Sequence, residues 1–445
     1  MEFFQRQLRA WVDPADVFVT LYSTDANAFW LDRENNPLNH FSVMGHAAEA
    51  AEIGAAQLFE TVGVMGQDSG EQHLPFTWQP GFVGWFDYWA NPLDPETLTG
   101  SWLPVNEAIV FDHSARAVWF AGRFKDAEHF EEWVRGALLR LSLSGGRKSG
   151  YLLKHRDAAP AIGVEMAHSP EQYLGLVGRA REAIAAGDVY QLCLTNRLTL
   201  ECSQEPLAVF LRLREQSPSP YSAYVKISGK TLVCSSPEQF LGLTEGGIAT
   251  TRPIKGTRPR AGDPDTDAEI AAELAGNLKE RAENLMIVDL MRNDLARVSV
   301  PETVAVTGLF EVEPYATVHQ LVSTVTSQIR SDVTLGQLIE AVFPGGSMTG
   351  APKVRACQLI AEFEGVQRGL YSGAVGWIGE DGGNLFGLDL AMVIRSLVFE
   401  GETVTIGVGG GITIDSDPTA ELAETELKAK ALLQVIGAAN PWQTA

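Results

Sequence analysis

The sequence predicts a fold that mixes helices and strands, with a mostly β N-terminal lobe over residues 1–150 and a larger domain over residues 165–440. Short strand-like runs crowd the first 140 residues, whereas longer stretches further on have helical periodicity. A segment rich in Gly, Ser and Pro separates the two parts. With 445 residues, the chain is long enough to bury a large core.

Several apolar runs predict strands in the N-terminal lobe, bounded by turn-forming residues. These runs are Val17–Tyr22, Gly81–Phe86, Ile109–Phe111 and Ala117–Phe120. The polar stretch between the last two is typical of a hairpin turn. A helix is expected near residues 126–141. We interpret residues 142–161 as a linker or mobile loop.

The second part begins with a strong helix signal. Ser169 at the N-cap, followed by Pro170 and then by Gln172, predicts a helix that ends at Gly187. A strand over residues 189–200 should follow, with alternating leucines on one face and polar side chains on the other. Another strand is expected over residues 231–235. Apolar residues at helical spacing predict one long helix from residue 265 to about residue 297.

Composition excludes several classes of function. The formal net charge of −22 argues against nucleic-acid binding, which needs clustered Lys and Arg. No window approaches 18 uninterrupted apolar residues, so we expect no membrane span, and no signal peptide is expected at the start. The four cysteines lack C-x-x-C spacing, which favours a reduced, cytoplasmic protein. The histidines form no H-E-x-x-H motif, so a metal site here would use carboxylates, the ligands that Mg²⁺ prefers.

The stretch Thr251–Arg260 holds Lys255 among three arginines. Like charges and burial both disfavour a protonated ammonium, which makes Lys255 a candidate amine nucleophile. The plainer alternative is a surface loop whose basic side chains pair with carboxylates. Glu238 follows Pro237 at the end of a predicted strand and is a candidate general acid. Its plainer alternative is a cap or turn residue.

Two pairs of glutamates repeat one spacing. Glu280 and Glu283 are three residues apart on a predicted helix, and Glu421 and Glu424 repeat this near the C-terminus. Residues three apart lie on one helix face. Two helices could therefore clamp a divalent cation between them. Glutamates on a helix face are also commonly just solvated.

Two glycine-rich segments have backbone that a ligand could approach closely. Residues 343–353 fail the Walker test, because Gly350 is followed by Ala351 and Pro352. What remains is a turn that opens a helix, whose free N–H groups suit a carboxylate. Residues 407–412 form a second such patch, or else a glycine bulge in a strand.

These segments, in this order, are similar to those of the chorismate-utilising enzymes, the family of anthranilate and isochorismate synthases. The similarity runs from about residue 169 to residue 433. It is carried by Ser236–Glu238, Arg281–Asp294, Phe343–Lys353 and Gly409–Ile412. The resemblance implies an α+β fold in which two large antiparallel sheets pack together, with helices outside. It also implies chorismate as the substrate and Mg²⁺ as the cofactor.

Within the family, Pro253–Thr257 resembles the members that aminate chorismate to 4-amino-4-deoxychorismate, on the route to p-aminobenzoate and folate. Members that form anthranilate usually carry alanine where Lys255 stands. No cysteine of this chain lies in the G-x-C-x-G-x-Q turn of the family's glutaminase. We therefore expect ammonia to come from a separate glutamine amidotransferase. Two alternatives stay open, namely anthranilate synthesis and a catalytically inactive chorismate-binding partner.

The resemblance also implies roles for the candidate residues. Lys255 would attack the substrate at C2, and Glu238 would protonate the departing 4-hydroxyl. Gln191 falls where the water-using members carry a lysine base. The metal ligands would be Glu280, Glu283, Glu421 and Glu424. The substrate-binding residues would be Gln191, Thr257, Tyr371, Arg395, Gly409, Gly410, Gly411 and Lys428.

Two departures from the family pattern stand out. The family commonly has His directly before Leu-Val-Ser, whereas here Gln320 takes that place and His319 comes one step earlier. On a strand, one step turns a side chain to the opposite face, so His319 does not simply inherit the role. Some members also bind tryptophan near a Leu-Glu-Ser or Leu-Asp-Ser motif. Here Trp30–Arg33 lacks that serine, although Pro220–Ser222 resembles the other wall of the pocket.

Overall fold

The computed structural model describes residues 1–48, 51–66, 75–142 and 146–443. These residues form strands β1 (Glu2–Gln7), β2 (Ala28–Asp32), β3 (Phe41–His46), β4 (Ile53–Gly54), β5 (Gly81–Phe86), β6 (Gly100–Val105), β7 (Glu107–Asp112), β8 (Ala117–Phe124), β9 (Ile162–Met166), β10 (Gln191–Glu201), β11 (Tyr221–Ile227), β12 (Lys230–Ser236), β13 (Gln239–Leu243), β14 (Ile248–Thr251), β15 (Ile254–Pro259), β16 (Ala305–Pro314), β17 (Val318–Gln328), β18 (Gly350–Ala351), β19 (Ala374–Asp381), β20 (Asn384–Met392), β21 (Ser396–Glu400) and β22 (Thr403–Ile412). The helices are α1 (Pro14–Leu21), α2 (Ala55–Thr61), α3 (Ala127–Ser142), α4 (Arg147–Lys154), α5 (Pro170–Ala185), α6 (Pro206–Gln216), α7 (Pro264–Gly276), α8 (Leu278–Ala296), α9 (Leu335–Val342), α10 (Lys353–Glu364) and α11 (Pro418–Val435).

The strands form two antiparallel sheets, which confirms the expected α+β fold. The larger sheet has 12 strands in the order β1-β8-β7-β3-β2-β11-β12-β21-β22-β10-β18, with β9 paired to β10. The smaller has 10 strands in the order β15-β17-β14-β13-β20-β19-β5-β6-β4, with β16 paired to β17. No helix among the described residues is both long enough and apolar enough to cross a membrane.

Strands from both ends of the chain meet in each sheet. In the larger sheet β2 pairs with β11, so that Trp30 lies opposite Tyr224. In the smaller sheet β5 pairs with β19, and Val83 lies opposite Trp377. The first 124 residues therefore contribute strands to both sheets.

The core lies in layers on both faces of the sheets. On β2, Phe29 and Leu31 point into the layer between the two sheets, together with Trp85 of β5. Trp30 points to the opposite face, where it stacks on Phe18 of α1 and meets α6. Burying one such large side chain stabilises the fold by about 1.5–3 kcal/mol. Because side chains alternate along each strand, one set packs between the two sheets and the other set packs against the outer helices.

Most of the elements predicted from local patterns are confirmed. Helix α5 starts with the expected capping box, in which Ser169 and Gln172 satisfy each other's backbone N–H groups. The hairpin of β7 and β8 turns at Asp112, whose carboxylate accepts from the backbone of Ser114 and Ala115. Strands β5, β10 and β12 and helix α3 also lie where the patterns placed them.

Two predictions of secondary structure are wrong. The predicted strand at residues 17–22 belongs to helix α1, which begins after Asp13; the Asp13 carboxylate accepts from two backbone N–H groups. Nearly all of α1 is buried, so it lacks the polar face that reveals a helical period. The single helix predicted over residues 265–297 is two, α7 and α8. They are separated by Asn277, which has an extended backbone and caps α8 through Glu280 N–H.

Two predicted loops are also partly wrong. The stretch around Lys255 lies on strand β15, which pairs with β17 and is interrupted by an irregularity between Ile254 and Thr257. Gly256 has φ +84°, a backbone conformation that favours glycine. Within the predicted linker, residues 147–154 form helix α4, and residues 143–145 lie outside the described residues.

Candidate active site

The glycine-rich end of β22 forms the floor of the candidate site. Gly409, Gly410 and Gly411 lie opposite Thr195, Leu194 and Cys193 of β10. On its other side, β22 pairs with β21 only over residues 403–405. Backbone groups of the glycines that do not face β10 therefore have no strand partner in the described chain. Lys428 occupies the carbonyl group of Gly409, and the backbone groups of Gly410 and Gly411 that do not face β10 are open to a ligand.

The glycines also let charged side chains approach from both faces of the sheet. A Cβ atom on Gly410 would lie 3.2 Å from Glu421 Oε2 on α11. A Cβ atom on Gly411 would lie 2.9 Å from Lys255 Nζ and 2.8 Å from Gln191 Nε2. A residue larger than glycine at either position would therefore crowd or overlap these side chains.

The side chains of Gln191 and Lys255 both lie at this patch. The side-chain amide of Gln191 is buried, and neither its oxygen nor its nitrogen has a hydrogen-bond partner among the described residues. Lys255 acts electrostatically on Glu238, Glu283 and Glu424. Buried polar groups are normally paired, so an unpaired amide beside a lysine indicates a place for a polar ligand.

The arginines around Lys255 are all engaged. Arg252 pairs with Glu313, Arg258 with Glu273 and Glu280, and Arg260 with Asp267. In the part of the chain that the structure describes, no hydrogen bond or ion pair occupies the Lys255 ammonium. The plainer alternative, basic side chains paired with carboxylates, therefore holds for the three arginines but not for the lysine.

Glu238, the candidate general acid, is buried and hydrogen-bonded. It lies between β12 and β13, is 7% exposed, and accepts a hydrogen bond of 2.7 Å from Ser347 Oγ at Oε1. Burial raises the pKa of Glu238 to about 7, although the Ser347 hydrogen bond and the charges of Lys255 and Lys428 oppose the rise. A carboxyl group with this pKa is partly protonated near neutral pH and can donate a proton.

The two glutamate pairs face each other across the gap between α8 and α11. Glu283 and Glu421 are buried, and burial raises the pKa of both. Lys279 Nζ lies between them, 3.8 Å from Glu283 Oε1 and 3.7 Å from Glu421 Oε1. Glu424 is more exposed. Burial would raise its pKa, but Lys428, whose Nζ is 2.7 Å from Glu424 Oε1, brings the value below the usual range.

The carboxylates suit a hard cation in their chemistry, although they are not gathered around one point. Among the described residues, no group of three or more His, Cys, Asp or Glu side chains is close enough to hold a metal ion. Glu280 instead pairs with Arg258, whose Nη1 lies 3.2 Å from Glu280 Oε1. The position between Glu283 and Glu421 nevertheless accommodates a positive charge, that of Lys279, and oxygen donors are the ligands that Mg²⁺ prefers.

The other predicted substrate-binding residues differ in how they are placed. Lys428 donates to Gly409 O at 2.8 Å, and the ring of Tyr371 covers Gly407, where any side chain would overlap it. Arg395 has φ +51°, a strained backbone conformation that is often found at functional sites. Burial lowers the pKa of Arg395, although Tyr371 and Glu424 oppose this effect. Thr257 is exposed, and no described hydrogen bond links its side chain to the other candidates.

A buried ion pair, which the sequence patterns did not reveal, supports the walls of the site. Arg368 forms two hydrogen bonds with Glu364, and it also donates to Met348 O at 2.7 Å and to Cys193 O at 2.8 Å. Glu364 in turn accepts from the backbone and side chain of Thr195. The pair therefore joins the loop that carries Ser347 to strand β10. Only its i, i+4 spacing was visible in the sequence.

His319 and Gln320 point to opposite faces of β17, as expected of neighbours on a strand. His319 Nε2 lies 2.9 Å from Asp267 Oδ1 on α7. Gln320 is buried, and its amide oxygen has no hydrogen-bond partner among the described residues. The two side chains therefore have different surroundings, and His319 does not lie where a histidine at position 320 would lie.

The two segments that resemble a tryptophan pocket lie side by side, because β2 pairs with β11. Arg33 bridges them. Its guanidinium donates to Asp389 Oδ2 at 3.1 and 3.2 Å and lies 4.7 Å from the centre of the Tyr221 ring. An arginine that is 2% exposed and paired with a buried aspartate thus stands where the family motif has serine.

Comparisons with known proteins agree with this architecture. Residues 20–434 match the family described as chorismate binding enzyme. An aminodeoxychorismate synthase from Streptomyces pristinaespiralis is 41% identical over 384 residues, which cover 84% of this chain and 53% of the relative. An anthranilate synthase component 1 from Streptomyces coelicolor is 36% identical over 350 residues, 77% of this chain and 68% of the relative.

The fold is that of solved relatives. The crystal structure of anthranilate synthase component I from Streptococcus pneumoniae matches with a TM-score of 0.75 and 26% identity, covering 89% of this chain and 92% of that one. With the match over most of its length, the chain belongs to the family of chorismate-binding enzymes. It spans 53% of the length of the aminodeoxychorismate synthase from Streptomyces pristinaespiralis and 63% of that from Streptomyces griseus.

The first prediction concerns the buried pair. Replacing Arg368 by Met leaves Glu364 as an uncompensated buried charge, and we expect the free energy of unfolding to fall by about 3–5 kcal/mol. Denaturant unfolding would measure this. The double variant Arg368→Met, Glu364→Gln should recover part of the loss. As a control, Arg355→Met breaks an exposed pair with Asp188 and should cost less than about 1 kcal/mol. Equal effects in both single variants would contradict the assignment.

The second prediction concerns Glu238. A general acid must be protonated, so kcat/KM should fall as the pH rises through about 7. The Ser347 hydrogen bond stabilises the ionised carboxylate, so Ser347→Ala should raise the pKa and move this fall to higher pH. Below pH 7, Glu238→Gln should lower the rate by about 10²–10⁴-fold, and it should remove the fall near pH 7. If Ser347→Ala left the pH of this fall in kcat/KM unchanged, the hydrogen bond from Ser347 would not determine the pKa of Glu238.

Proposed function

We propose that this chain converts chorismate and ammonia into 4-amino-4-deoxychorismate, with Lys255 as a covalent nucleophile. The observation that carries the proposal is the state of Lys255 among three arginines. Each arginine has a carboxylate partner, whereas no described residue pairs with the lysine ammonium. Lys255 lies instead at the Gly411 backbone, beside the unpaired amide of Gln191 and within electrostatic reach of Glu238.

The relatives support chorismate chemistry but divide over the product. The relative from Streptomyces pristinaespiralis is named aminodeoxychorismate synthase, and the one from Streptomyces coelicolor is named anthranilate synthase. Lys255 favours amination, since the anthranilate-forming members usually carry alanine there. We keep anthranilate synthesis as the second candidate, favoured by the likeness to the solved anthranilate synthase.

The proposed chemistry consists of two displacements. The neutral amine of Lys255 adds at C2 of chorismate, both ring double bonds shift by one position, and the 4-hydroxyl leaves as water with a proton from Glu238. Ammonia then adds at C4, both double bonds shift back, and the nitrogen of Lys255 leaves C2 as the neutral amine, while the new C4 ammonium returns a proton to the Glu238 carboxylate. The net change is gain of ammonia and loss of water. Dividing one difficult replacement into two easier ones is what covalent catalysis provides.

The remaining residues would bind and orient the substrate. Lys428, Arg395 and the backbone of Gly409–Gly411 would receive its carboxylates, with Tyr371 packed against the same floor. Glu283, Glu421, Glu424 and Glu280 would hold Mg²⁺. When bound, this ion would neutralise the ring carboxylate of chorismate and fix its position. The buried amide of Gln191 would hydrogen-bond to substrate or ammonia.

The ammonia would come from a partner, a glutamine amidotransferase. A glutaminase needs a nucleophilic cysteine thiolate. All four cysteines of this chain are buried, and burial raises the pKa of each thiol. The name component 1, carried by the relative from Streptomyces coelicolor, fits an enzyme with a second subunit.

The third prediction identifies the product and the nitrogen source. Incubated with chorismate, Mg²⁺ and an ammonium salt, the purified chain should form 4-amino-4-deoxychorismate, identified by its mass. With glutamine in place of ammonium it should form none, because it lacks a glutaminase nucleophile. Release of pyruvate with anthranilate would establish the second candidate instead. Turnover with glutamine alone would refute the need for a partner.

The fourth prediction concerns Lys255. With chorismate and Mg²⁺ but without ammonia, mass spectrometry of the intact protein should detect a covalent adduct that maps to Lys255. Lys255→Ala should abolish the adduct and lower the rate by orders of magnitude. Lys255→Arg is the matched control, because it keeps the positive charge but removes the nucleophile. If Lys255→Arg kept turnover near that of the unmodified chain, the lysine would serve only as a positioning charge.

A further inference from the structure

Lys279 has an unusual place for a surface lysine. It lies in the first turn of α8, with a side chain that is 53% exposed, yet its ammonium reaches two carboxylates that are almost inaccessible. The side chains of Glu283 and Glu421 are 10% and 4% exposed. The ammonium lies at nearly equal distances from them, 3.8 and 3.7 Å.

Lys279 is also the link between the two helices. Glu283 belongs to α8 and Glu421 to α11, and no other hydrogen bond or ion pair joins these helices in the described part of the chain. Glu280 and Glu424 attract the same ammonium electrostatically. One cation thus faces all four of the glutamates that would hold Mg²⁺.

Electrostatics explains why a cation is needed here. Two buried carboxylates that face each other repel, and an uncompensated buried charge is strongly destabilising. In the absence of a divalent ion, the Lys279 ammonium lies within ion-pair distance of both. Lys255 also acts electrostatically on Glu283, and Ser416 and Lys428 act on Glu421. Two distances near 4 Å indicate a loose ion pair rather than tight hydrogen bonds, so the ammonium can be displaced.

We propose that Lys279 is an internal counter-ion that occupies the divalent-cation site and withdraws into solvent when Mg²⁺ binds. This inference rests on the metal site of the proposed function. It makes Lys279 a competitor of the metal rather than a ligand of substrate. The lysine therefore sets the Mg²⁺ concentration at which the site is half occupied. In the metal-free protein, it also links α8 to α11.

The test measures metal binding without turnover. Mg²⁺ is titrated calorimetrically into chelator-treated protein in the absence of chorismate, for the unmodified chain and for Lys279→Gln. Removing the competitor should tighten the Kd for Mg²⁺ about fivefold, the factor that corresponds to an ion pair of about 1 kcal/mol. The melting temperature of metal-free Lys279→Gln should be lower than that of the unmodified chain, and Mg²⁺ should raise it by more.

Lys430→Gln is the matched control. Lys430 is exposed on α11, and its loss changes the net charge equally without touching the carboxylates. Its Kd for Mg²⁺ should stay close to that of the unmodified chain. The inference is wrong if both variants tighten binding equally, if Lys279→Gln weakens binding, or if none of the proteins binds Mg²⁺. A chain that forms no aminated product but gives the expected Kd values would overturn the proposed function and leave this inference in place.

Discussion

The ion pair of Arg368 and Glu364 is the interaction on which the rest of the site depends. Their side chains are 2% and 1% exposed, and ions so deeply buried are tolerated only when their other hydrogen-bonding positions are satisfied. Here the arginine donates to the carbonyl groups of Met348 and Cys193, and the glutamate accepts from Thr195. The same bonds that satisfy the ions therefore hold the glycine-rich loop against β10, and so fix Ser347 opposite Glu238.

Charges in the candidate site divide into those that are neutralised and those that are not. Arg252, Arg258 and Arg260 are neutralised by carboxylates, and Glu283 and Glu421 share Lys279. Lys255 and Arg395 have no such partner among the described residues. Since an unpaired charge costs free energy when it is withdrawn from water, Arg395 is suited to an anionic ligand. Lys255, which the proposed function uses as a nucleophile, is held by no ion pair.

Local sequence signals predict the structure correctly where interactions between neighbouring residues decide it. The capping box of α5 and the turn after β7 depend on neighbouring residues, and both formed as expected. Helix α1 was missed because it is buried on nearly every side and so lacks a periodic pattern. Strand β15 was missed because its partner β17 lies about sixty residues further on, which no local pattern encodes.

The same distinction applies to the candidate site. Lys255, Glu238 and the two glutamate pairs could be singled out by motif and spacing. Their actual neighbours could not, because each contact joins segments far apart in the chain. Ser347 lies within the Phe343–Lys353 segment, but nothing in the sequence links it to Glu238. Lys279 stood four residues before Glu283, yet its bridge to Glu421 depends on how α8 packs near α11.

The interleaving of early and late strands in both sheets has a consequence for synthesis. Strand β5 leaves the ribosome early, but it must wait for β19 before its backbone is paired on that side. Strand β2 likewise waits for β11. Such distant pairings fold slowly and leave apolar strands and open edges exposed in the meantime. The nascent chain therefore cannot complete its first lobe alone, and a growing chain halted before β19 would present an unpaired, aggregation-prone edge.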